Sequence, residues 1–565
     1  ITQTWRICLD NLASAKPAAV VVRDTTFVGR ASCSGVAAGG VAGATNLRSF
    51  LVAGCTFTPD PDTPTAIGGD QAVWVEDDPN KIAWVRDCSV TDYAAGGFGY
   101  VQIDGVTLRK TIDTAIAGSA FYRCPVVRRA VVRSSLATCT TLAWECGELT
   151  DCQIDVPAIT SAGNSWRIHT PSGWITSLDL RRCTFPTTIA DWSALDGAVV
   201  VADCTFPASS AFALRARDGE GIDVRDTRFG GAFTLTTVGA YTAVGTAIRL
   251  ANVRVSGATI LDGQWGVMNA ADCVFAGGMR AYQQGSAALQ GSARLRGCVC
   301  WPTGEAGGTA VAFKTTGPPW CASGTSLTVA RSTTNGSSWY DIEVRDCAFK
   351  GQLDDALYAP GSGLRAVVWL DAGQHVSLLD CVGLFACTAD ASVDDWTPIR
   401  VDGRSVQVCR NQLIVDNVDG ADRAIARFMR IVQAAAVDGN ARAASTVRLA
   451  VAGNEIEFSH AAGGANAAKV KLALIAYEFD GADDGETVLL EVAGNLVHMT
   501  TVDAATKFAA TVAAGPIAQA AATGAMHGNV VRDRAGNIAA LGAATVAVQK
   551  AGPAEVFLFA DNTVI

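Results

Sequence analysis

At 565 residues the chain exceeds the usual size of one globular core, so several domains or one repeat array must organise it. Hydrophobic residues make up 49% and charged residues 17%, which excludes an intrinsically disordered polymer. A net charge of −10, with arginines scattered singly, excludes the clustered basic surface that a nucleic-acid partner needs, and no run of 18 apolar residues offers a membrane span.

The first residues, Thr4-Trp5-Arg6-Ile7-Cys8-Leu9, alternate as a strand. From there one phrase returns along the chain: apolar, any residue, apolar, then Asp or Gly, then Cys or Asn, a spacer and a large apolar residue. It stands as Leu51-Val52-Ala53-Gly54-Cys55-Thr56-Phe57 and as Trp84-Val85-Arg86-Asp87-Cys88-Ser89-Val90. Further copies carry Cys152, Cys183, Cys204, Cys273, Cys298, Cys347 and Cys381; after residue 400 the marker becomes Asn, at Asn411, Asn454, Asn495, Asn529 and Asn562. Thr25, Gly105, Ser135, Thr227 and Asn252 fill the series where neither residue stands. Marker intervals run from 17 to 49 residues and cluster at 21 to 25 between Cys183 and Cys298.

Apolar spacing of two inside each phrase argues for strands and against helical repeats. An interval in the low twenties matches one coil of about three short strands, and longer intervals are coils with insertions. Equivalent residues of successive coils then lie about 4.8 Å apart and form an interior ladder. Cys suits such a ladder as a small hydrophobe, and Asn can hydrogen-bond to its own copy. Asp or Gly before the marker fits a strand-ending bend. The predicted fold is all-β: a right-handed parallel β-helix solenoid with loop and short helical insertions. Residues 1–400 form a β-helix with a mainly Cys ladder, and 401–565 continue it with an Asn ladder and Ala-rich insertions.

Between markers, Pro59 to Asn80 and Pro302 to Ser338 read as projecting loops, and the Ala-rich runs Asp419 to Gly439, Ala461 to Gly485 and Ala504 to Ala525 as helical. Asn335 opens an Asn-Gly-Ser glycosylation sequon in the second loop.

The stacked phrase resembles the right-handed parallel β-helix, or pectin-lyase-like, superfamily over nearly the whole chain. Its texture is also similar to that of the dispersed gene family surface proteins of trypanosomatids. The superfamily includes pectate lyases, polygalacturonases, phage tailspikes, adhesins and protist surface proteins, so the resemblance implies a fold and leaves function to the site. The polygalacturonase set (Asn-Thr-Asp, an Asp pair, Gly-His-Gly, Arg-Ile-Lys) is present only as Asp pairs, at Asp77-Asp78, Asp354-Asp355, Asp394-Asp395 and Asp483-Asp484. Neighbouring strand residues point to opposite faces, so no such pair supplies both carboxylates of a glycosidase. The acidic loop from Asp480 to Glu486 lacks the ligand spacing of an EF-hand, and His169, His375, His460, His498 and His527 stand in isolation. Trp166, Trp174, Trp192, Trp320, Trp339 and Trp396 lie off the phrase, available to stack on sugars or to pack under loops.

No catalytic, cofactor-binding or metal-ligating residue is therefore assigned. The chain opens at Ile1 with no signal-like segment, as a mature product or an excised piece would. Its last residues stop on a ladder phrase, so partners at the coil ends are expected: other subunits or the rest of a longer chain, with glycans on the surface. The expected role is a non-enzymatic extracellular or cell-surface β-helix protein with a structural, adhesive or filament-forming task. The alternative is a carbohydrate-active β-helix, a tailspike-like polysaccharide hydrolase or lyase.

Overall fold

The computed structural model describes residues 7–10, 18–29, 36–39, 47–59, 72–75, 82–92, 96–110, 119–134, 141–156, 166–169, 177–185, 189–195, 198–206, 212–217, 221–238, 245–284, 291–300, 326–331, 339–353, 367–387, 398–417, 427–433, 446–460, 473–479, 487–501, 510–517, 521–533, 547–550, 557–560 and 563–564. Among the described residues every regular element is a strand, and the strands pair in parallel with the equivalent strand of the next coil. The fold is an all-β solenoid.

One coil shows the plan. Phe212–Arg217 lies in a sheet we call A, Gly221–Arg225 in sheet B and Arg228–Phe229 in sheet C. In sheet B, Leu178 pairs with Val199 and Val199 with Ile222, so like positions stack through successive coils. Alternate residues, such as Leu180, Val201 and Val224, are fully buried, while Asp179, Val200 and Asp223 just before them are half-exposed. This is the period-two pattern of a strand with one apolar face.

Among the described residues the chain turns from sheet B to sheet C at the residue before the buried interior slot. That residue is left-handed at Asp87 (φ 49°), Asp151 (56°), Asp203 (54°), Asp346 (52°) and Asp380 (56°), among others. Asp and Gly recur there because they tolerate this conformation best. The ladder of backbone hydrogen bonds continues through the bend: Asp203 N donates to Arg225 O at 3.1 Å and Thr205 N to Cys183 O at 2.9 Å. At Gly105 (φ 72°) a Cβ would sit 2.4 Å from Asp87 Oδ1, so the carboxylate of one coil occupies the space above the glycine of the next.

Three markers are corrected. Val106, Ala130 and Val253, all buried, hold the interior slots assigned above to Gly105, Ser135 and Asn252. Gly105 and Asn252 (φ 51°) are instead the left-handed bend residues one position earlier, and Ser135 lies outside the described residues. An ordinary apolar side chain fills the slot as well as Cys does, but carries no distinctive signature in sequence.

The Ala-rich runs are also corrected. Their described parts are strands: Arg427–Gln433, Ala473–Phe479 and Ala510–Ile517 in sheet A, and Ala521–His527 in sheet B. Met429 pairs with Ile475 and Ile475 with Val512, so pairing with the coils on either side overrides the helical preference of Ala.

The chain forms two compact units, Ile1–Ala240 with Ile248–Ser256 and Tyr241–Ala247 with Gly257–Ile565. In the first unit the core carries stacked rings: Phe185 on Phe206 and Phe206 on Phe229, each with centroids 4.9 Å apart. The change from Cys to Asn falls inside the second unit, where Cys381 N donates to Asn411 Oδ1 at 2.9 Å.

Candidate functional site

The ladder residues come first, because they are the interior chemistry of both units. Cys55, Cys88, Cys152, Cys183 and Cys204 of the first unit and Cys273, Cys298, Cys347 and Cys381 of the second are buried free thiols. The thiols hydrogen-bond to one another along the column, as Cys183 does with Cys152 and Cys204, and donate to backbone of their own or the preceding coil: Cys204 Sγ to Ala202 O at 3.3 Å, Cys183 Sγ to Leu149 O at 3.3 Å. Two further thiols, Cys124 and Cys146, stack at a second bend, where Arg123 (φ 50°) and Glu145 (φ 52°) turn the chain from sheet A into sheet B. The phrase search passes over them because their bend follows a different strand. Asn411, Asn454, Asn495 and Asn529 continue the column as carboxamides. Asn454 Nδ2 donates to Asn495 Oδ1 at 2.9 Å and to Val408 O at 2.8 Å, while its Oδ1 accepts from Asn411 N at 3.0 Å and Asn411 Nδ2 at 2.9 Å. Asn562 and Asn335 lie outside the described residues.

The ladder thiols are closed off from solvent. Burial pushes Cys88 up to about 12, whereas hydrogen bonds with the Cys273 and Cys347 thiols hold Cys298 well below the usual thiol range. A reagent must reach a thiol to attack it, so burial is what makes the interior column resist oxidants and alkylating reagents. Among the described residues no group of three or more His, Cys, Asp or Glu side chains is placed to hold a metal ion. The expected result is that iodoacetamide at pH 8 leaves the ladder cysteines unmodified in native protein and alkylates all 18 cysteines after denaturation. Peptide mass spectrometry reads this directly; rapid native alkylation of Cys183 or Cys298 would show an open interior.

The acidic pairs at 77–78, 354–355, 394–395 and 483–484 lie outside the described residues, as do Trp174, Trp320 and Trp396. Trp339 is fully buried, so it packs in the core rather than facing a ligand. Trp166 and Trp192 belong to paired strands of sheet A. His375 is exposed, whereas His498 is buried with Nε2 3.7 Å from Glu455 Oε1, a carboxylate partner that sequence spacing does not reveal.

The outward face of the first unit carries an aromatic cluster. Trp74, Gly99 and Tyr122 share one row of sheet A, and the missing side chain at Gly99 lets the two rings meet at 5.5 Å. Tyr100 packs edge-on to Trp74 at 4.9 Å. The Arg123 guanidinium lies 5.5 and 5.4 Å from the Tyr100 and Tyr122 ring centroids, donates to Tyr100 Oη at 2.8 Å and pairs with Glu145. Aromatic rings fixed by a cation and a carboxylate form a rigid amphipathic surface of the type that anchors partners.

The second unit concentrates polar chemistry in three successive coils, 339–353, 367–387 and 398–417. Lys350, Asp371, Asp402 and Arg404 are all buried there. Asp371 and Asp402 are register partners on neighbouring strands of sheet A. Asp402 accepts from Trp369 Nε1 at 2.9 Å and from Arg400 Nε at 2.8 Å. Burial lowers the Lys350 ammonium below the usual lysine range. Just past this corner, sheet B aligns Asp341, His375 and Ser405 in one row, and Glu343, Ser377 and Gln407 in the next.

Compared with models of protein families, with curated proteins and with solved structures, the chain matches none.

Proposed function

We propose that the chain is a structural and adhesive scaffold displayed outside the cell, a right-handed parallel β-helix of the pectin-lyase-like kind. The observation that carries this reading is the interior column of the second unit. From Cys273 to Asn529 the marker side chains are buried, and from Cys381 onward they bond coil to coil, which is how a protein built to present surface uses its interior. Burial of every marker thiol shields such a column from oxidants even in an oxidising compartment. The half-exposed Trp74, Tyr122 and Arg123, backed by the buried Tyr100, supply a contact surface, with protein subunits and glycans as the partners its chemistry suits. Labelling of intact, unpermeabilised producing cells with antibody to the folded chain tests the reading. Surface staining is expected; staining that requires permeabilisation overturns it.

A further inference from the structure

We propose that Asp341, His375 and Ser405 act together as an acyl-transfer relay on the outer face of sheet B, giving the scaffold an esterase activity. The three residues come from three successive coils and are far apart in sequence, yet they are direct register partners: Asp341 pairs with His375, and His375 with Ser405. Register partners of a parallel sheet point to the same side, about 4.8 Å apart, so the imidazole stands between carboxylate and hydroxyl. That is the order a nucleophile, its base and the group orienting the base require. His375 is exposed, while Asp341 and Ser405 are half-buried on either side of it. Asp341 Oδ1 is enclosed and has no hydrogen-bond partner, leaving it open to the ring N–H one rung away. No hydrogen bond links the three side chains as they stand, a looseness common before substrate binds; rotation of His375 about χ1 and χ2 closes the relay.

The step balances without a further reagent. Ser405 Oγ attacks the ester carbonyl carbon as its proton passes to His375, and the carbonyl π pair moves to oxygen. The intermediate collapses, the C–O bond to the leaving alcohol breaks, and the imidazolium returns the proton to that alkoxide. Water then repeats the sequence on the acyl-Ser405 bond and releases the acid. Asp341 orients the ring and accepts the imidazolium N–H. The carboxamide of Gln407, two residues on and on the same face as Ser405, can donate to the oxyanion. An open face encloses no long acyl chain, so the substrate class is a small acyl ester, such as acetyl, on a bulky carrier.

A fluorophosphonate probe with peptide mass spectrometry, together with p-nitrophenyl acetate turnover, tests the assignment. The expected results are an adduct on Ser405 and loss of turnover by about 10³-fold or more in both S405A and H375A, with D341N reduced by about 10²-fold or more. S377A, one row away, is expected to label and turn over as wild type. All four positions lie on the outward face of sheet B rather than in the core, so melting temperatures should stay within about 2 °C of wild type and separate loss of chemistry from loss of fold. No Ser405 adduct, or turnover lost in H375A but kept in S405A (an imidazole acting alone), overturns the proposal.

Discussion

Asn454→Ala is expected to lower the stability of the second unit by about 3–5 kcal/mol, because each buried donor or acceptor left without a partner costs about 1–3 kcal/mol. Four hydrogen bonds are lost at once. Asn411 N and Asn411 Nδ2 lose their shared acceptor, and Asn495 Oδ1 and Val408 O lose a donor. Asn411 Nδ2 keeps a bond to Leu378 O at 3.0 Å, so that group is only partly orphaned. The Asn411 amide is the worst placed, since no water reaches a side chain buried at every rung of the column. Asn454→Cys should restore most of the volume, a weak donor and only a weak acceptor for that amide, as where Cys55 N donates to Cys88 Sγ at 3.4 Å, and recover only part of the loss. Guanidinium unfolding, followed by hydrogen exchange in Gln412–Asn417 and Glu455–His460, measures it. A change below about 1 kcal/mol in Asn454→Ala would mean the carboxamides do not carry the column.

Phe206→Ala should cost the first unit about 3–5 kcal/mol, the range for emptying a buried aromatic site. Phe206 lies between Phe185 and Phe229, with centroids 4.9 Å away on both sides and planes within 6° and 10° of parallel. Both neighbours are held by their own coils, so neither can move to fill the void, and stacking is lost on two faces. Phe206→Leu keeps most of the apolar volume and should cost about 1.5 kcal/mol or less. Thr205, one residue earlier, is exposed, and Thr205→Ala should stay within about 0.5 kcal/mol of wild type. Equal losses at positions 205 and 206 would show that the alternation does not separate core from surface here.

The contrast between those neighbours also shows what was readable in the chain. The alternation of apolar and polar residues, the Asp or Gly at the bend and the Cys or Asn after it each reflect a local demand: a face to bury, a left-handed φ, a small or self-pairing group in a crowded slot. Such demands leave a mark on residue type, so Cys204 and Asn454 could be picked out without coordinates. Val106 and Ala130 serve the same slot unmarked, since apolar residues are common everywhere. The Ala-rich runs misled for the opposite reason: their local preference is helical, and only strands already stacked on either side make them sheet.

Sequence by itself determined the coil, because its unit is short and every requirement on it is local. Only the tertiary structure decided which coils bring which outward side chains together. Insertions of very different length close onto the same register at little difference in entropy, so spacing along the chain says nothing about the row a residue joins. Asp341 beside His375 and Ser405, Asp371 beside Asp402, and Trp74 meeting Tyr122 across Gly99 are products of that stacking.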